Sequence, residues 1–163
     1  MSVRLVDVTL REAGLANGYS FTLAQATAIA RALDRAGIAN IELGYRRPRL
    51  SDISGAACPP AYISSLRAVC KRAELGVMIH HAEVTIDEYA RLRDQGLGLV
   101  RFALAASEFD ALAVHARAAC AAGLHFTVNL TRVSEVPPEV AIDVARAAED
   151  AGARCFYVAD SNG

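Results

Sequence analysis

Ala36-Gly37-Ile38-Ala39-Asn40-Ile41-Glu42-Leu43-Gly44 joins the end of a helix to a short apolar run with one carboxylate in it. Gly37 supplies the left-handed conformation that closes a helix. The run Ala39–Gly44 is too short for a helix and is bounded like a strand. The phrase Ala-Gly-X returns at Ala122-Gly123-Leu124 and Ala151-Gly152-Ala153, each time ahead of another apolar run. Outward from this stretch, Val3–Val8, Leu75–His80, Leu97–Leu104, Leu124–Leu130 and Arg154–Ala159 complete a set of strands. They recur every 25–35 residues or so, roughly the spacing of a βα unit.

Ala-rich helices fill the intervals. Thr22 with Gln25, Thr85 with Glu88, and Ser107 with Asp110 each read as a capping box. Pro59–Pro60 and Pro137–Pro138 suit helix openings, where a missing N–H costs little. Leu23, Ala26, Ala30 and Leu33 form one apolar stripe, and Phe109, Leu112, Ala116 and Ala119 another. Gly96 is a further helix terminator.

Strands alternating with helices give a parallel sheet with helices outside it. An open doubly wound sheet competes with a (β/α)8 barrel. Each strand carries a polar residue near its C-terminal end, where a barrel puts its catalytic groups: Asp7, Glu42, His80, Arg101, Asn129 and Asp160. No GxGxxG follows a strand, which also weighs against the dinucleotide-binding sheet. The expected fold is α/β, an incomplete TIM-type barrel with six of its eight strands, and the expected organisation is a single partial catalytic domain over residues 1–163. Strands one and six would be open edges, with Val6, Val8, Phe156 and Val158 facing inward, so a homo-oligomer or a partner chain is expected to cover them.

Composition narrows the functional classes. The chain has 163 residues, 53% of them hydrophobic, and a net charge of −1. That balance gives no footprint for nucleic acid or an acidic membrane surface. No apolar run approaches the ~20 residues of a membrane span. Cys58, Cys70, Cys120 and Cys155 lie far apart without a CxxC pair, so neither a disulfide framework nor a zinc knuckle is expected, and a reducing cytoplasm is the natural compartment.

Asp7-Val8-Thr9-Leu10-Arg11-Glu12 holds the sharpest chemical signal. A hard divalent cation takes carboxylate oxygen, which Glu12 can supply. An enolate beside that cation needs a second fixed positive charge, which Arg11 can supply. The plainer reading is an Arg–Glu pair on a surface βα loop. Glu42 is expected to be a buried partner of Arg11, because a carboxylate inside a barrel needs a cation nearby. His80, Asn129 and Asp160 are candidates to contact substrate, set against ordinary packing and loop capping. Asp7 is a supporting residue behind Arg11 and Glu12. His115 and His125 read as structural, and Arg46–Arg49 as a solvated loop.

The same residues carry a family resemblance. Asp7–Glu12 resembles the strand-one signature of the DRE-TIM metallolyases, the HMGL-like or pyruvate carboxyltransferase domain family. Ile41-Glu42-Leu43-Gly44-Tyr45-Arg46 is similar to its second strand. Val77–His80, Val100–Ala103 and Tyr157-Val158-Ala159-Asp160-Ser161-Asn162-Gly163 fall where its third, fourth and sixth strands belong. Gly14–Tyr19 is most like the first loop of the 4-hydroxy-2-oxovalerate aldolase branch. The resemblance implies a lyase of the aldolase type, acting on an α-keto acid through a pyruvate-type enolate. It further implies a divalent Mn2+ or Mg2+ bound by Glu12, with Arg11 as the catalytic cation. Two departures stand out. The family's His-x-His ligand pair is missing, because His80 and His81 are adjacent and adjacent strand side chains point to opposite faces. Leu15 also occupies the position where the aldolases carry a catalytic His. Enzymatic activity is therefore expected only once other segments complete the barrel. The alternative is a non-catalytic fragment that serves as a binding or assembly partner.

Overall fold

Six apolar runs pair side by side in the order in which they occur, all parallel: β1 (Val6–Asp7), β2 (Asn40–Tyr45), β3 (Glu74–His80), β4 (Leu99–Leu104), β5 (His125–Leu130) and β6 (Phe156–Val158). The computed structural model describes residues 4–50 and 54–160. Val3 and the Ser161-Asn162-Gly163 end of the strand-six motif lie outside the described residues. A doubly wound sheet reverses its order about an early strand. The strictly sequential order excludes it and makes the chain a run of barrel staves. No helix among the described residues is long and apolar enough to cross a membrane.

The helices are α1 (Thr9–Ala16), α2 (Leu23–Ala36), α3 (Ser54–Ala57), α4 (Pro60–Val69), α5 (Glu88–Asp94), α6 (Phe109–Ala121) and α7 (Pro138–Asp150). Thr22 and Gln25 form the full reciprocal capping box, and Pro60 and Pro138 open α4 and α7. Gly37 closes α2 at φ 84°. The other two boxes do not form, because a neighbouring carboxylate has taken their role or their partner. Thr85 Oγ donates to Asp87 at 2.5 Å, while Glu88 turns inward to Arg46. Ser107 and Asp110 are passed over, and Glu108 reaches back to the Ala105 N–H at 2.9 Å.

Partners in a parallel ladder share a face, so register separates the two sides of the sheet. Ile41, Val77, Ile79, Val100, Phe102, Val128 and Leu130 are buried in the core cluster together with Ala26, Ala30, Leu112, Ala116 and Ala119 of the helices. Each fully buried large side chain there, such as Phe102 or Phe126, contributes roughly 1.5–3 kcal/mol. Leu23 is 46% exposed and falls outside the α2 stripe, at the first residue of the helix. Glu42, Met78, Arg101, Thr127, Asn129 and Tyr157 occupy the other, concave face.

Three expectations change. Phe156 pairs with Val128 and packs on the core, and Val158 is 62% exposed, so Tyr157, with Cys155 just ahead of the strand, lines the inner side. Val8 lies beyond β1 and caps α1. The Arg46–Arg49 stretch is not uniformly solvated. Arg46 is buried, donating to Glu88 at 2.8 Å and to the carbonyls of Ala57 and Cys58 at 3.2 and 3.1 Å.

Candidate active site

The strand-one signature is a helix rather than a loop. The Val8 carbonyl accepts from the N–H groups of Arg11 and Glu12 at 3.0 and 2.8 Å, which starts α1 directly at the end of β1. Asp7 steadies this start by accepting from the N–H and Oγ of Thr9 at 3.0 and 3.1 Å. Within α1, Gly14 leaves room for the Tyr19 ring, which a Cβ there would meet at 2.6 Å. Arg11 is carried inward over the C-terminal end of the sheet, and Glu12 stays exposed.

From Arg11 a chain of contacts crosses the concave face. Its Nε donates to Glu42, and its terminal nitrogen lies 2.5 Å from Glu12 and 3.4 Å from the Tyr45 hydroxyl. Glu42 has a fully buried side chain, and its second oxygen accepts from Arg101 at 2.5 Å. Arg101 also donates to Asn129 Oδ1 at 2.8 Å and stands 5.0 Å from the centroid of the Tyr157 ring. Asn129 returns its amide to the Phe102 carbonyl at 3.3 Å. Burial acts against the Arg11 charge, but the carboxylate of Glu42 and then the Tyr45 hydroxyl outweigh it and raise the pKa. Arg11 is therefore a permanent cation whose fork is fixed by acceptors on β2. Glu42 and the two arginines leave one net positive charge buried here, before the exposed Glu12 is counted. Arg101 Nε and Thr127 Oγ are buried without a hydrogen-bond partner.

His80 ends β3 on the strand face of Asn129, by register through Ala103. His80 pairs with Glu108 at 3.1 Å at the exits of β3 and β4. Asp160 accepts from Ser134 at 3.0 Å. His115 is held by the Tyr89 hydroxyl at 2.7 Å, and burial, followed by His81, lowers its pKa. His125 contacts Glu74 at 2.6 Å near the opposite end of the sheet. Leu15 is 54% exposed and offers no proton-transfer group. The sequence marks Arg101 as a polar strand-end residue without assigning it a partner, and it assigns no role to Tyr45 or Tyr157. Strand parity could have found Arg101 and Tyr157, since they share the face of Glu42 and Asn129.

A cavity of about 400 Å3 lies lower on the concave face, lined by Val6, Asn40, Leu99, Thr127, Cys155 and Tyr157 among others. In a closed barrel this region is filled by layers of side chains. It reads as unfilled core rather than a substrate pocket.

Residues 2–163 match the HMGL-like family. The chain belongs to the HMGL-like family. It is 33% identical over 172 residues to the 4-hydroxy-2-oxovalerate aldolase of Roseiflexus sp. (strain RS-1), covering 98% of this chain and 48% of the relative. It is 29% identical over 165 residues to the oxaloacetate decarboxylase of Mycobacterium tuberculosis (strain ATCC 25618 / H37Rv), with the same 98% and 48% coverage. The chain thus spans about half the length of these curated relatives. The fold matches the carboxyl transferase domain of Rhizobium etli pyruvate carboxylase, solved with 3-hydroxypyruvate, at a TM-score of 0.80 and 16% identity. That match covers 99% of this chain and 31% of the other.

The donors present test the HMGL-like chain for a divalent ion beside Arg11. Glu12 offers one carboxylate, already paired with Arg11. The metal-compatible cluster found among the described residues, His80, His81 and Glu108, does not include it. One donor does not hold an ion, so these residues alone do not form the family's metal centre.

Proposed function

We propose that this chain is the Arg11-bearing part of an HMGL-like aldolase or lyase, which makes or breaks a C–C bond next to the carbonyl of an α-keto acid. The observation that carries the reading is Arg11 itself: a buried guanidinium, aimed by Glu42 and Tyr45, at the C-terminal end of parallel strands. In the cleavage direction a general base takes the hydroxyl proton, the fragment leaves as an aldehyde, and the electron pair of the broken C–C bond moves onto the ketone oxygen and generates an enolate. A fixed cationic donor stabilises that oxygen more than it does the neutral ketone, which lowers the barrier. Glu42 keeps the guanidinium from reorienting, so little rearrangement is needed as charge develops. Arg101 and Asn129 brace Glu42 from the far side, and Asn129, His80 and Asp160 remain our candidates for contacting substrate. We assign Glu12 as one ligand of a divalent Mn2+ or Mg2+ ion, with its other donors coming from polypeptide beyond these strands. The same polypeptide, or a second copy, would cover the edges of β1 and β6. The 4-hydroxy-2-oxovalerate aldolase and oxaloacetate decarboxylase relatives support this class of reaction.

Calorimetric titration with oxalate, a planar analogue of the pyruvate enolate, in the presence of Mn2+ tests the reading on this chain joined to the polypeptide that supplies the remaining metal donors. Oxalate should bind the joined protein, and Arg11→Gln should weaken it at least about tenfold, the loss of one charge-assisted hydrogen bond. No binding to the joined protein, or binding indifferent to Arg11→Gln, overturns the proposal and favours a non-catalytic assembly partner.

A further inference from the structure

The geometry points to a second, separate metal site, for a borderline ion of the Zn2+ type, formed by His80, His81 and Glu108 where β3 and β4 leave the sheet. One ring nitrogen from each histidine and one carboxylate oxygen lie within 4.8 Å of one another, and all three residues are partly buried. Two imidazoles and a carboxylate are the donor set of open three-ligand zinc sites, whereas Mg2+ and Ca2+ want oxygen. Tetrahedral coordination with bonds of about 2.0–2.2 Å needs donors about 3.3–3.6 Å apart. His80 Nε2 and Glu108 Oε1, at 3.1 Å, already nearly meet that spacing. His81 begins a 3-10 turn just past β3, so strand alternation does not send it to the opposite face as expected; it stacks on His80 with centroids 4.8 Å apart and has to turn off that face to close the remaining gap.

Two features support the assignment. Glu108 is held in place through its other oxygen, which accepts the Ala105 N–H at 2.9 Å and leaves Oε1 directed at His80. Such outer contacts orient metal ligands. His81 Nδ1 is buried and has no hydrogen-bond partner, although buried polar atoms are nearly always satisfied. Without a metal, His80 Nδ1 accepts a long 3.4 Å contact from the Ala82 N–H, which places the ring proton on Nε2, facing Glu108. A metal at Nε2 would need a ring proton on Nδ1 instead, at the cost of the Ala82 contact. The site is independent of Arg11 and Glu12.

The probe is Co2+ added to the purified chain and read by visible absorption, which needs no catalytic activity. One equivalent should produce the intense d–d bands of a low-coordinate site, and Zn2+ should bleach them, whereas excess Mg2+ should not. His81→Asn, which leaves the His80–Glu108 pair intact, should weaken Co2+ binding about a hundredfold, and His80→Asn should abolish it. Circular dichroism checks that both variants remain folded. Glu12→Gln should leave the bands unchanged. Absence of bands, bands that survive His81→Asn, or bands lost in Glu12→Gln would each overturn the assignment.

Discussion

Replacing Glu42 with Gln tests the logic of the site at its centre. Side-chain exposures are 0% for Glu42, 10% for Arg11 and 8% for Arg101, so the carboxylate is what offsets two guanidiniums held away from water. Gln keeps one acceptor but turns an NH2 toward one arginine, leaving that buried cation facing a donor. Breaking a buried pair in this way costs about 3–5 kcal/mol, a large part of a total stability of roughly 5–15 kcal/mol. At about 2–4 °C per kcal/mol for a chain of this size, Tm should fall by roughly 6–20 °C. Urea denaturation of Glu42→Gln, Arg101→Gln and the double variant gives the assay. The double variant should be less destabilised than the sum of the singles by about 0.5–3 kcal/mol, because the two changes share one interaction. Additive effects, or a loss under about 1 kcal/mol such as exposed pairs show, would refute the view of Glu42 as the hub.

Gly44→Ala should cost at least about 3 kcal/mol in the same assay, since its φ is 151° and a Cβ would sit 2.0 Å from the Gly55 carbonyl oxygen; near-native stability would show that the β2–α3 contact gives way. Asp34 accepts the N–H groups of Ala73, Lys71 and Arg72, and these bonds lower its pKa to about 2. Its contribution is therefore present above the ordinary carboxylate pKa, near 4, and lost as pH falls toward 2; Asp34→Ala should flatten acid unfolding over that window, and an unchanged slope would discount these bonds. Light scattering should find the isolated chain self-associated or bound to a partner, because β1 and β6 each have one sheet neighbour; a lone monomer that unfolds cooperatively would contradict this.

What could be read from sequence depended on distance along the chain. Gly37, Pro60, Pro138 and the Thr22–Gln25 box act within a turn or two, and strand spacing fixes the sheet order once the units are counted. Arg11 and Glu12 stood out because the chemistry of both shows in adjacent letters. The contact of Arg46 with Glu88 spans 42 positions, and that of Arg101 with Glu42 spans 59, so no local pattern announces either. The failed boxes at Thr85 and Ser107 share one cause. Spacing alone pairs Glu88 with Thr85 and passes over Glu108 in favour of Asp110, whereas the two glutamates answer to a buried arginine and to a backbone N–H beside a histidine. Which side of β6 faces inward follows only from register, which the pairing of Asn129 with Tyr157 supplies.

The strictly sequential strand order has a consequence for how the chain is made. Each strand finds its partner in the unit synthesised just before it, so the sheet can lengthen one stave at a time as the polypeptide leaves the ribosome. Contacts closed over short stretches form quickly, and domains generally assemble from the N-terminus during synthesis. Glu42 and Arg11 meet once β2 has emerged, and Arg101 joins them with β4. The ionic hub would thus be laid down while the later staves are still being translated, serving as a scaffold against which each new unit docks.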